Sequence, residues 1–225
     1  MKKIYTGIDI GSHSIKIIVS EVINNKFHVL ATSNTKCKGI HNGIITDIEL
    51  VKPYLLKAKK NVEEMLGISI NQAIVNVSSY DRKIDMVEGT INIESENKVI
   101  DSKDINNIFK EATIGQIDDD YELITISPIS FQVDDKEPVK DPKGLIGDTL
   151  KMKAIVASIP KTNFKTVISL LKVCDIQAVD VCFGGVGDYY QVKNNNIEYL
   201  ENNYEELMTE VDRVIDIVKK YLGGK

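Results

Sequence analysis

The sequence predicts an α/β fold in which a sheet domain is interrupted by a smaller α+β unit and followed by a C-terminal helix. Three observations carry that reading. Apolar, β-branched runs at residues 4–10, 15–22 and 26–36 read as three consecutive strands, and a helix-period segment with a further strand extends them to the order βββαβ. From about Arg82 the texture changes to short strands and acidic turns, and near residue 161 a helix feeding an apolar strand restores the first texture.

Taken in order, Asn24-Asn25 supplies the turn between the second and third strands, and short connections make the first three an antiparallel meander. Asp47 is placed to cap a helix running to residue 66, with Val51, Leu55, Ala58, Val62 and Met65 at three- and four-residue steps and Gly67 as its stop. A strand follows at 73–78. In the middle unit, residues 85–93 read as a strand, Asp101 or Ser102 caps a helix through residue 112, and 122–133 and 149–157 read as further strands. The connection DDKEPVKDPKGLIGD holds two prolines and two glycines, the composition of a long hairpin loop. Residues 161–173 form an amphipathic helix through Phe164, Val167, Ile168 and Leu171 and feed a strand at 176–181. A crossover of that kind returns to the first sheet, which makes the middle unit an insertion.

After FGGVGDYY and the polar run 193–196, Ile197, Leu200, Tyr204, Leu207, Val211, Val214, Val218 and Tyr221 repeat at alternating three- and four-residue steps over 197–222. Such a seam serves equally for docking on the preceding domain and for contact with another chain. Acidic residues outnumber basic ones along it, which disfavours an anionic membrane surface as its partner.

Composition narrows the function classes. The 225 residues carry 28 basic and 33 acidic side chains, a net charge of -5, so the global basic field of a nucleic-acid binder is missing. Cys37, Cys174 and Cys182 form no CxxC pair and do not cluster with His13, His28 or His41, so reduced thiols are expected rather than metal or redox chemistry. No run approaches the roughly 20 apolar residues that cross a bilayer, and the start MKKIYTGIDIG lacks the apolar core of a signal peptide; no direct membrane insertion is expected. Asp118-Asp119-Asp120 lacks the spaced ligands of a calcium loop and reads as a solvated turn.

The chemistry-bearing segment is GIDIGSHSIKIIVSEV, residues 7–22. A tight turn between strands aims backbone N–H groups at a phosphate, and Gly11 admits the ligand without a Cβ in the way. Asp9 stands where a carboxylate holds hydrated Mg²⁺, Ser12 can donate to a phosphate oxygen, and Lys16 can neutralise charge from the next strand. A plain β-turn with a surface lysine would give the same pattern.

That segment, with KGIHNGIITDIE, ISPISFQVDD, VKDPKGLIGDTLKMKA and SLLKVCDIQAVDV following in order, resembles the N-terminal half of the FtsA family of bacterial actin-like division proteins over about residues 4–183. The resemblance implies an actin-like (ribonuclease H-like) subdomain IA made of 1–82 and 157–190 and an inserted subdomain IC at 83–156; the C-terminal amphipathic helix at 197–222, read from its spacing, is atypical of that family. The resemblance also implies an ATP site with Asp9, Gly11, Ser12 and Lys16 as its first phosphate loop, polymerisation through IC, and a link to FtsZ in the cytoplasm at the division site. FGGVGDYY is not followed by the strand pattern of a second phosphate loop, and the family's basic membrane helix is not recognisable. The expectation is a division scaffold, not an enzyme, acting through FtsZ, FtsA-like subunits or copies of itself, with a partial site that binds Mg-ATP weakly at most and no tightly bound cofactor. Two alternatives stand beside it: an adaptor of the PilM type that binds a membrane-protein peptide, and an ATPase or kinase of the actin superfamily.

Overall fold

In the computed structural model, residues 3–24 and 26–183 are described. Strands β1 (Lys3–Ile10), β2 (Ser14–Ile23) and β3 (Lys26–Lys36) form the meander, followed by the short β4 (Ile40–His41) and β5 (Ile44–Ile45), helix α1 (Ile48–Leu66) and β6 (Gln72–Val77). Then come β7 (Lys83–Asn92), α2 (Ser102–Thr113), β8 (Tyr121–Val133), β9 (Thr149–Pro160), α3 (Lys161–Lys172) and β10 (Gln177–Phe183). The amphipathic seam at 197–222 and the glycine-rich stretch after Phe183 lie outside the described residues.

The larger sheet has the order β10-β6-β1-β2-β3. β1, β2 and β3 pair antiparallel through short turns, whereas β6 and β10 run parallel to β1 and are reached through helices, as parallel neighbours must be. This is the ribonuclease H-like sheet of an actin-like half.

Local chemistry sets the helix bounds. The Asp47 carboxylate accepts from the Leu50 N–H at 3.1 Å, and at the other end the Gly67 N–H donates to Glu63 O at 2.8 Å. Val51, Leu55, Ala58 and Val62 are fully buried against the sheet, together with Ile15, Ile17 and Val19 of β2. Met65, expected on that stripe, is 65% exposed and Leu66 packs against the core instead. At 3.6 residues per turn the buried stripe has drifted one position on by the helix end.

Both α1 and α3 lie on one face of this sheet and touch each other, and a single core cluster joins them to the strands. Side chains alternate across the sheet, so Tyr5, Gly7 and Asp9 of β1, Lys16 and Ile18 of β2, and Ile74 and Asn76 of β6 share the other face. No helix among the described residues packs on it.

The unit between β6 and α3 has its own three-stranded sheet, order β7-β9-β8, fully antiparallel, and its own core of Val87, Ile108, Phe131, Leu150, Met152 and neighbours. Its strands are 10 to 13 residues long and begin and end within three residues of the expected bounds. Gly89 of β7 lets α2 approach closely, since a Cβ there would fall 2.8 Å from Ala112 Cβ. A capping box between Asp101 and Asp104 starts α2. The loop from β8 to β9 is closed by Asp134, whose carboxylate accepts the N–H groups of Asp148 and Thr149, each at 2.9 Å. β9 runs from one core into the other, with Leu150 to Val156 in the insert and Ala157 and Ile159 under the larger sheet.

Candidate functional site

Register assembles the loop residues. Asp9 and Lys16 are direct cross-strand partners in β1 and β2, and Asp9 is also level with Asn76 in β6. The Lys16 ammonium lies 3.0 Å from Asp9 Oδ2, and Asn76 Nδ2 donates to Asp9 Oδ1 at 2.7 Å. Lys16 is more than half exposed, so this pair orients the carboxylate more than it stabilises the fold. Asn76 Oδ1 is buried and has no hydrogen-bond partner among the described residues. Turning the amide would set its oxygen against the carboxylate, so the orphaned acceptor belongs to the site.

The turn itself is held from three sides. The Gly11 N–H closes the hairpin on Ser14 O at 3.1 Å, the Cys37 thiol donates to Gly11 O at 3.4 Å, and the Cys37 N–H donates to His13 O at 3.1 Å. Ser12 Oγ accepts the Gly43 N–H at 2.8 Å and so keeps its own proton to donate elsewhere. Gly43 sits at φ +73° in the turn between β4 and β5, and a Cβ there would lie 2.5 Å from Ser78 Oγ. That small hairpin was not anticipated, although Asn42-Gly43 is a strong two-residue hairpin signal.

Asp9, Lys16 and Ser12 therefore gather at one end of the open face with Asn76, which sequence spacing did not point to. The Gly11 N–H is consumed inside the turn, so Gly11 contributes closeness rather than a free donor. Mg-ATP is the group implied for such a loop. Asp9 and the orphaned Asn76 Oδ1 are acceptors suited to metal-bound water, and the Lys16 ammonium with the Ser12 hydroxyl suits phosphate oxygens, so the residues fit one wall of that site. The cavity of about 290 Å³ between β8, α3 and β10, lined by Leu123, Phe164, Ile168 and Val179 among others, includes none of these residues.

Elsewhere the described residues offer little chemistry. Burial pushes the thiols of Cys37, Cys174 and Cys182 above their ordinary range, which disfavours the reactive thiolate. Asp118 pairs with Lys83, and no group of side chains suited to a metal occurs among the described residues. No described helix is long and apolar enough to cross a membrane.

Sheet order, helix placement and the insert define an actin-like half-fold with an α+β insertion. A solved PilM-PilN type IV pilus biogenesis complex shares that fold, with a TM-score of 0.54 at 12% identity over 82% of this chain and 49% of the other. The sequence relationship is to FtsA: residues 81–158 match the family described as the SHS2 domain inserted in FtsA. Cell division protein FtsA of Streptococcus pneumoniae is 30% identical over 190 residues, 84% of this chain and 42% of that protein. FtsA of Bacillus subtilis is 26% identical over 180 residues, 80% and 41% of the two chains. The chain thus spans about two-fifths of the length of these relatives.

Proposed function

We propose that this chain serves cell division as an FtsA-like scaffold, working through protein contacts and not through catalysis. The carrying observation is that one chain joins FtsA-like sequence along most of its length to an insert of the FtsA type, residues 81–158. Its partners on this reading are FtsZ, FtsA-like subunits or copies of itself, at the cytoplasmic side of the division site. A fluorescent fusion produced in dividing cells is expected to form a midcell band; uniform fluorescence in cells with intact division rings would overturn the reading.

The nucleotide site belongs to the same proposal. Asp9, Ser12, Lys16 and Asn76 stand on an open face, and an enclosed site needs a second wall to exclude water from the phosphates. Bound Mg-ATP would supply charge and order to this end of the sheet, with Lys16 and Ser12 meeting phosphate and Asp9 meeting hydrated metal. Titration calorimetry on this chain is expected to give a Kd no tighter than about 100 µM, near −5.5 kcal/mol. Low-micromolar affinity that disappears in Asp9→Ala would contradict it, and ATP turnover above background would favour an ATPase instead. The fold shared with the PilM-PilN complex supports a second reading, a peptide-binding adaptor; capture of a membrane-protein peptide in place of FtsZ in paired pull-downs would select it.

A further inference from the structure

We propose that Lys16 excludes divalent cations from Asp9 until a nucleotide phosphate competes for its ammonium, so that metal and phosphate enter this site only together. The inference rests on the nucleotide reading of the site and adds to it the order in which the side chains are engaged.

A carboxylate that is already neutralised attracts a second cation weakly. The Lys16 ammonium lies 3.0 Å from Asp9 Oδ2, so the pair carries no net charge, and any further positive charge that approaches Asp9 is repelled by Lys16. Asp9 is not free to turn away from it. Asn76 Nδ2 holds the other carboxylate oxygen at 2.7 Å, and strand register sets Asn76, Asp9 and Lys16 in one row across β6, β1 and β2. The buried Asn76 Oδ1 keeps no partner in this row, so it and the free lone pairs of Asp9 are the acceptors for a hydrated cation. The same row therefore holds the groups that would receive the metal and the charge that keeps it out.

The barrier is easily lifted. The Lys16 and Asp9 side chains are 57% and 35% exposed, and an ion pair that open contributes little net stability. Lys16 carries its charge on a flexible four-carbon stem, which can re-aim without moving β2. It stands near the start of β2, close to the turn where Ser12 Oγ accepts the Gly43 N–H at 2.8 Å and keeps a proton for a phosphate oxygen. A polyphosphate at that turn offers Lys16 more negative charge than the single carboxylate does. Once Lys16 changes partner, Asp9 regains its charge beside the incoming phosphate, and a divalent cation is then attracted by both.

The test is titration of the full chain with Mn²⁺, followed by water proton relaxation, which is enhanced by Mn²⁺ that tumbles with the protein. Mn²⁺ alone is expected to bind Lys16→Met about tenfold more tightly than wild type, and adding Asp9→Asn should abolish the gain. ATP should raise Mn²⁺ binding by wild type and do so far less in Lys16→Met. Equal affinity of wild type and Lys16→Met for Mn²⁺ alone, or a gain that survives Asp9→Asn, would overturn the proposal. Calorimetric heat from ATP with no accompanying rise in Mn²⁺ binding would overturn the coupling and leave the nucleotide reading intact. Absence of any ATP effect, with the Lys16→Met gain present, would overturn the coupling and the nucleotide reading together, while exclusion of the metal by Lys16 would stand.

Discussion

Single carboxylates set where several elements begin, and their chemistry makes them testable. Asp47→Ala removes the acceptor for the Leu50 N–H and is expected to cost about 1 kcal/mol, read as a lowered urea midpoint. Asp134 and Asp101 titrate below the ordinary carboxylate range, the first because the Thr149 N–H, then the Asp148 N–H, donate to its charged form, the second through the N–H groups of Asp104 and Lys103. The stability they contribute is complete above the unfolded-chain pKa of about 3.9 and is lost as pH falls through the lower folded value. Wild type and Asp134→Ala should therefore differ in urea midpoint at about pH 7, with the gap narrowing as the pH is taken well below about 3.9; a constant gap down to about pH 2 would refute the assignment. The capping role of Asp47 was legible in the sequence because a cap acts within one turn. Asn76 was not, because nothing in its own segment announces a partner 67 residues earlier. Asp9 and Lys16 lie between these cases: two adjacent strands and a tight turn were enough to bring them opposite each other.

At the level of elements, close approaches decide the packing. Gly89→Val puts a branched side chain where α2 already sits against β7, and overpacking of about 1–3 kcal/mol is expected, with near-ultraviolet dichroism reporting the disturbed Phe109–Phe131 edge contact on α2 and β8. An unchanged spectrum and midpoint would mean that α2 shifts without cost. Gly43→Ala forces a Cβ onto Ser78 and a left-handed backbone on a residue that disfavours it, about 1–2 kcal/mol before the clash is counted. Its urea midpoint should fall accordingly; a wild-type midpoint would show that the β4–β5 turn adjusts freely. Most elements could be read from sequence because their signals are local: period two in the strands, period 3.6 in the helices, caps at the ends. The end of β9 was less legible, since the strand runs on past the expected residue 157 to Pro160, where it leaves the insert core and enters the larger one. Met65 failed for a geometric reason, the drift of the stripe by one position at the end of α1.

At the scale of the whole molecule, the described residues form two cores threaded by one strand. Leu55→Ala in the larger core and Leu150→Ala in the insert should each cost about 2–5 kcal/mol, and the distribution of the damage is the informative part. Leu150→Ala is expected to speed amide exchange in β7, β8 and α2 more than in β1 and β2; equal loosening everywhere would mean that the two cores open as one. That β10 returns to the first sheet was inferable from the sequence of strand and helix textures, because a helix feeding a short apolar strand is the pattern of a crossover; its place beside β6 was not. That α1 and α3 cover only one face could be seen only with the sheet assembled. The attachment of the insert has a mechanical side as well. β7 enters it and β9 leaves it at the same end, side by side, through ten consecutive paired positions. A pull on the β8–β9 loop is therefore carried along the continuous backbone of β9 into the larger sheet, with β7 loaded beside it across the ladder. Tension applied there loads covalent chain before it loads any non-covalent contact between the two cores.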